Sequence, residues 1–151
     1  MDYILDTNII LTYIRKNKYT DQIDKEYAPM LIGNTLIISV VSIGELKSLA
    51  KRNRWGEKKL EKLDELLKKF IVVDINVAKI IEKYAEIDAY SQGKLEGQTS
   101  NFTARNMGKN DLWIAATAAV LGIKLLTLDK DFNHLGKAFI DLESIELKKI
   151  E

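Results

Sequence analysis

Short apolar runs alternate with helical stripes along the whole chain, and this pattern predicts an α/β fold with a mostly parallel, twisted sheet of about four or five strands and helices on both faces. Two further observations support it. From Leu112 to Leu121 nearly every residue is apolar before Gly122, which is expected for a helix covered on most sides. Four acids, Asp6, Glu45, Asp111 and Asp129, fall where predicted strands end or the next helices begin. In an open parallel sheet such ends can meet, because ligands bind beyond the carboxyl ends of the strands where strand order reverses.

In chain order, Tyr3-Ile4-Leu5 is a strand that Asp6-Thr7-Asn8 breaks before Ile9, Ile10, Tyr13 and Ile14 open a helical stripe. Ile23, Tyr27 and Leu31 keep helical spacing through Tyr19 to Leu31, with Pro29 expected to kink or break the helix, and Gly33-Asn34 turns the chain. The β-branched run Leu36 to Val41 reads as a buried strand, and Ser42-Ile43-Gly44-Glu45-Leu46 as the start of a helix, with Glu45 in its first turn. Leu60, Leu63, Leu66, Leu67 and Phe70 make an amphipathic outer helix, Ile71-Val72-Val73 a third strand, and Val77, Ile80, Ile81, Tyr84 and Ala85 a helix to about Tyr90. Ser91 to Met107 is irregular and polar, the pattern of a mobile connection outside the core. After the central helix, Lys124 to Leu128 is a strand ending at Asp129, and Ala138-Phe139-Ile140 is expected to be the last.

The composition narrows the function. A chain of 151 residues with 46% hydrophobic content fits a single domain, expected to span 1–151. With 23 basic and 22 acidic residues, the formal charge of +1 gives no global attraction to a polyanion, so nucleic-acid binding must come from local patches. Absence of cysteine excludes disulfides and thiolate metal sites and suits a reducing compartment. The strand-like opening predicts no signal segment, no apolar run is long enough to span a bilayer, and a cytoplasmic protein with no membrane association is expected.

Four carboxylates in one cleft would repel one another and raise each other's pKa unless a hard divalent cation joined them. Mg²⁺ or Mn²⁺ fits such oxygen donors, whereas a single histidine, His134, and no cysteine leave little for zinc. One or two such ions can hold a phosphodiester and activate water. Each acid also has a structural explanation of its own. Asn110 or Asp111 can cap a helix, Ser42 and Glu45 have capping-box spacing, and Asp6 and Asp129 can belong to turns. The joint arrangement shifts the balance.

Asp6-Thr7-Asn8 after the first strand, Ser42-Ile43-Gly44-Glu45-Leu46, Asn110 to Ala118, and Leu126-Thr127-Leu128-Asp129-Lys130-Asp131-Phe132 together resemble the PIN domain, especially its VapC-like toxin ribonucleases. The resemblance covers essentially the whole chain. It implies an endoribonuclease with Mg²⁺ or Mn²⁺ held by Asp6, Glu45, Asp111 and Asp129, Asn8 supporting the first aspartate, Thr127 near the pocket and Asp131 as an auxiliary ligand or a solvated turn residue. It also implies cleavage leaving a 5′-phosphate, a homodimer, and a small antitoxin that blocks the cleft. The long connection from Tyr90 to Asn110 departs from a compact member and leaves the choice of RNA open.

Lys47, Lys51, Arg52, Arg54, Arg105 and Lys109 flank the acids and are candidate RNA contacts, each with a solvated helix face as the plainer reading. Trp55 is a candidate for base stacking, Trp113 is expected in the core and His134 at the surface. Other functions fit less well. A phosphoaspartyl phosphatase wants a second acid where Asn8 stands, a phosphorylation receiver wants an acidic pair after its first strand, and no phosphate-cradling glycine loop occurs. A non-catalytic RNA-binding module would be expected to have lost acids that are all present. A housekeeping PIN nuclease acting in RNA maturation or decay is the nearest alternative to a toxin.

Overall fold

The computed structural model describes residues 1–16, 18–98 and 101–148. Five parallel strands, β1 (Asp2–Leu5), β2 (Thr35–Ser39), β3 (Phe70–Val73), β4 (Lys124–Thr127) and β5 (Leu142–Ser144), form one sheet in the order β3-β2-β1-β4-β5. The helices are α1 (Thr7–Arg15), α2 (Lys18–Glu26), α3 (Val40–Arg52), α4 (Glu57–Leu67), α5 (Ala78–Ser91) and α6 (Lys109–Leu121), with a 3-10 helix at Lys130–Leu135. Strand order moves outward from β1 to β3, then returns to the other side of β1 for β4. The reversal therefore opens a crevice at the carboxyl ends of β1 and β4.

Alternation along β1 sorts the core into two layers. Tyr3 and Leu5 face α1, α2, α3 and α4 with Ile9, Ile10, Ile23, Leu46 and Leu63, while Ile4 faces α5 and α6 with Ile80, Ile87, Ile114 and Ala115. Helix α6 is buried along most of its length, as its unbroken apolar run requires. Gly122 ends it at φ +64 in the left-handed region, where its N–H reaches Ala118 O at 2.9 Å.

Several boundaries differ from the sequence reading. Strand β2 stops at Ser39, whose hydroxyl accepts from Val41 N–H at 3.3 Å and caps α3, so Val40 and Val41 are helical despite their β-branching. Glu45 thus lies in the second turn of α3, and Ser42 and Glu45 do not form a capping box. Phe70 belongs to β3, because Lys68 and Lys69 turn the chain after α4, and Leu60 of the apolar stripe stays 41% exposed. Helix α2 ends at Glu26, short of Pro29, and Ala28 takes φ +41 in a left-handed turn that closes the helix, its N–H reaching Ile23 O at 3.3 Å.

The last strand is Leu142–Ser144 instead of Ala138-Phe139-Ile140. Those residues fold back on the 3-10 helix, with Phe139 and Ile140 N–H both donating to Leu135 O, and Ile140 makes only an isolated bridge to Gly136. The connection after α5 also does more than link elements. Positions 99 and 100 lie outside the described residues, but Met107 is buried, and Leu95 and Phe102 pack on the second core layer.

At Gly122 any side chain must enter the left-handed region. Gly122→Ala is expected to lower stability by about 1 kcal/mol, read as a lower denaturant midpoint with unchanged slope.

Candidate metal centre

The crevice between β1 and β4 receives its acids from four different elements. Asp6 follows β1 as the N-cap of α1; its Oδ1 accepts from Thr7 N–H at 2.7 Å, and its Oδ2 from the Thr127 hydroxyl at 2.7 Å. Thr127, the last residue of β4, is buried, and its Oγ1 also accepts from Asp129 N–H at 2.9 Å. One threonine therefore fixes both the first aspartate and the exit of β4. Asp129 caps the 3-10 helix, its Oδ1 accepting from Asp131 N–H at 2.8 Å. Asp111 sits in the first turn of α6 behind Gly108, which gives no side-chain cap, so the capping role open to Asn110 or Asp111 is not used. Three of the acids thus stand at helix N-termini, where free N–H groups favour negative charge.

Glu45 reaches the group from α3. Thr7 Oγ1 lies 2.9 Å from Glu45 Oε1 and 2.9 Å from Ser42 Oγ. A hydroxyl has one proton to give; Thr7 donates to the carboxylate, and buried Ser42 donates to Thr7. Sequence reasoning missed this chain, although Thr7 adjoins Asp6 and Ser42 stands one helical turn before Glu45.

Burial raises the pKa of Asp111 to about 7, with Asp6, Asp129, Glu45 and Asp131 adding repulsion in that order. Asp6, more deeply buried, reaches only about 6: burial raises it most, the Thr127 and Thr7 hydrogen bonds lower it, and Glu45 and Asp129 raise it. The five carboxyls therefore share one electrostatic site. One oxygen each from Asp111, Asp129 and Asp131 lie within 4.8 Å of one another, and Asp131, itself exposed, also closes the turn on Asp129 through its N–H. An all-oxygen donor set of this kind suits Mg²⁺ or Mn²⁺.

Other expected residues are placed differently. Asn8 accepts from Leu128 N–H at 3.2 Å through its Oδ1, tying α1 to the exit of β4, so its support of Asp6 is indirect. Arg52 lines a groove with Thr7, Glu45 and Asn110, and Lys109 borders a cavity with Glu45 and Asp111. Arg105 lines another with Asp131. Lys47 and Lys51 are exposed two and six residues beyond Glu45, away from its helix face, and are not brought to the acids. Trp55 packs against the first core layer under Lys59 Nζ, 4.9 Å from its ring centroid, and Trp113 packs on Tyr84 at 4.2 Å. His134 is half-buried instead of surface-placed: its Nε2 lies 2.7 Å from Ser91 Oγ, between Tyr90 and Phe102. Burial, then the Arg105 charge, lowers its pKa.

The PIN domain family model matches residues 3–138. The chain belongs to the PIN domain family. Similar solved structures include VapBC2 from Rickettsia felis bound to a DNA fragment from their promoter, 25% identical with a TM-score of 0.70 over 95% of this chain and 98% of that one. VapBC-1 from nontypeable Haemophilus influenzae is 27% identical with a TM-score of 0.70 over 95% and 97%. VapBC-5 from Mycobacterium tuberculosis, a member of the VapBC family of toxin-antitoxin systems, shares the fold at 20% identity and a TM-score of 0.60, over 94% and 95%. No curated protein matches the chain significantly. PIN domains are a family of nucleases, and among the described residues no helix is long and apolar enough to cross a membrane.

Because the folded pKa values of Asp6 and Asp111 lie above the ordinary aspartate value of 3.8, the native state holds these protons better than the unfolded chain. Their contribution to stability is full below about pH 4 and is lost as pH rises through about 6 to 7. Metal-free protein is therefore expected to lose Tm across that window, and Mg²⁺ or Mn²⁺ to raise Tm more at pH 7.5 than at pH 5. Asp111→Asn should raise the metal-free Tm at pH 8; a lower Tm there would contradict the repulsion.

Proposed function

We propose that this PIN domain is a Mg²⁺- or Mn²⁺-dependent endoribonuclease that hydrolyses RNA phosphodiester bonds, and that it is the toxin of a toxin–antitoxin pair in the cytoplasm. The observation that carries the reading is the gathering of Asp6, Glu45, Asp111, Asp129 and Asp131 at the β1–β4 crevice, with two carboxyls pushed close to neutrality. Asp111, Asp129 and Asp131 are the oxygen donors nearest one another; Asp6 and Glu45 complete the site. When bound, the ion polarises a phosphate oxygen and lowers the pKa of an attacking water, so no protein nucleophile is required.

The chain's own residues prepare that chemistry. Thr127 and the N-terminus of α1 hold Asp6 in place and oppose the rise of its pKa, and the Ser42–Thr7 pair aims Glu45. Arg52, Arg105 and Lys109 border the acids and can counter the charge of an approaching phosphate backbone, so binding should weaken with salt. The choice of RNA, a 5′-phosphate product and a homodimer rest on the likeness to VapC-like toxins. An antitoxin partner is supported by the same likeness and by the similarity to the VapBC structures of 25% and 27% identity.

Purified protein incubated with total RNA should cleave only when Mg²⁺ or Mn²⁺ is added, and Asp111→Asn should lower the rate by at least about 10²-fold, on the scale of losing a main source of transition-state charge stabilisation. Unchanged cleavage by that variant removes the mechanism. Expression should arrest growth, with relief by Asp6→Asn; harmless expression of an active enzyme speaks for a housekeeping nuclease instead.

Thr127→Val deletes the hydrogen bond that lowers the pKa of Asp6. The acidic limb of the pH–rate profile should move to higher pH, so that activity falls more at pH 6 than at pH 8. An equal loss at both would mean that Thr127 acts only in packing.

A further inference from the structure

Beside the acids, between α1 and α3, lies an open groove of about 510 Å³. Its walls are aliphatic, with Leu11 on α1 and Val41 and Leu49 on α3, and its inner end is shared with the acid centre through Glu45 and Asn110. At its rim, Arg52 donates through Nε to Ser48 Oγ at 3.3 Å, a bond that orients the guanidinium, and among the described residues neither terminal amino group has a hydrogen-bond partner. Among the described residues no carboxylate lies within ion-pair distance of Arg52.

We propose that this groove is a slot for an unpaired guanine base adjoining the scissile phosphate. The inference rests on the nuclease reading and names the substrate feature which that site selects. Continuity decides the location: a groove that shares Glu45 with the acid centre is within reach of a nucleotide whose phosphate lies at the acids.

Chemistry decides the occupant. Phosphate is poorly suited to aliphatic walls, whereas a base offers two apolar faces to Leu11 and Leu49 and a polar edge to the rim. The volume lies within the about 300–1,000 Å³ of small-ligand pockets. A guanidinium with only donors matches two adjacent acceptors, and guanine presents them at O6 and N7, while the corresponding edge of adenine mixes donor and acceptor. A base can enter only when swung out of a helix, so the cut should fall in single-stranded RNA.

The test is cleavage of a randomised single-stranded RNA library by the full chain with Mn²⁺, reading the nucleotides at both sides of each cut. Guanine at one flanking position should be favoured roughly tenfold. Arg52→Gln should bring that preference close to parity, and Arg52→Lys, lacking the fork, should not restore it. Leu49→Trp, which fills the slot, should raise KM for guanine-containing substrates; Arg52→Gln, at an exposed position, keeps the test open if that variant folds poorly. Cleavage with no base preference, or a preference untouched by all three variants, overturns the slot but leaves the nuclease reading standing. No cleavage with either metal overturns both. Variants that keep the guanine preference but lose a co-expressed protein partner would assign the groove to protein and overturn the base slot.

Discussion

Repulsion among carboxylates is the constraint around which this fold is arranged. Parallel β-topology brings the carboxyl ends of β1 and β4 together, and the chain places an acid directly after β1, another two residues after β4, and others on the helices that border the gap. Left alone, such a group would protonate or splay. It is held by helix N-termini, by Thr127 and by Thr7, which fix the oxygens without adding positive side chains among them. Stability is thereby given up locally to keep negative charge concentrated in one crevice, a common relation between function and stability.

A second constraint fixes the wall opposite α3. Ser91, fully buried at the end of α5, meets Met107 Sδ at 3.4 Å and His134 Nε2 at 2.7 Å through its hydroxyl, and its carbonyl accepts from Arg105 N–H at 2.8 Å. One serine so links α5, the chain that leads into α6, and the 3-10 helix that carries Asp131. The irregular connection is anchored at its end, which sets Arg105 beside the acids without any regular element there. His134 is part of this joint, where burial and then the Arg105 charge disfavour its protonation.

Much of this was legible in the sequence. Strands β1 and β4 are short apolar runs that end in an acid, and α6 is apolar throughout, so the central crevice and four of its acids could be placed before any coordinates existed. What was not legible depends on partners distant in the chain. The choice between Val41 and Ser39 as the end of β2 is made by pairing with Val73 and by the Ser39 cap, neither of which alters hydrophobic periodicity. Strand β5 is a three-residue edge with every residue half-buried, so it carries no alternation to detect, while the more apolar Ala138-Phe139-Ile140 satisfies its backbone in a turn. Thr7, Ser42 and Ser91 look like ordinary polar residues until the fold brings their partners to them.

The two raised acids also differ in a way that burial alone would reverse. Asp6 is the more deeply buried, yet Asp111 has the higher pKa, about 7 against about 6. The difference lies in donors: Asp6 accepts from Thr127 and Thr7, which stabilise its charge, while Asp111 faces four carboxyls and no hydrogen bond that lowers its pKa. Both carboxyls are therefore pushed up, Asp6 against two opposing hydrogen bonds and Asp111 by burial and its acidic neighbours. Asp6 is thus held by Thr127 and the N-terminus of α1, while among the described residues no donor holds Asp111, a contrast set by one threonine and one helix terminus.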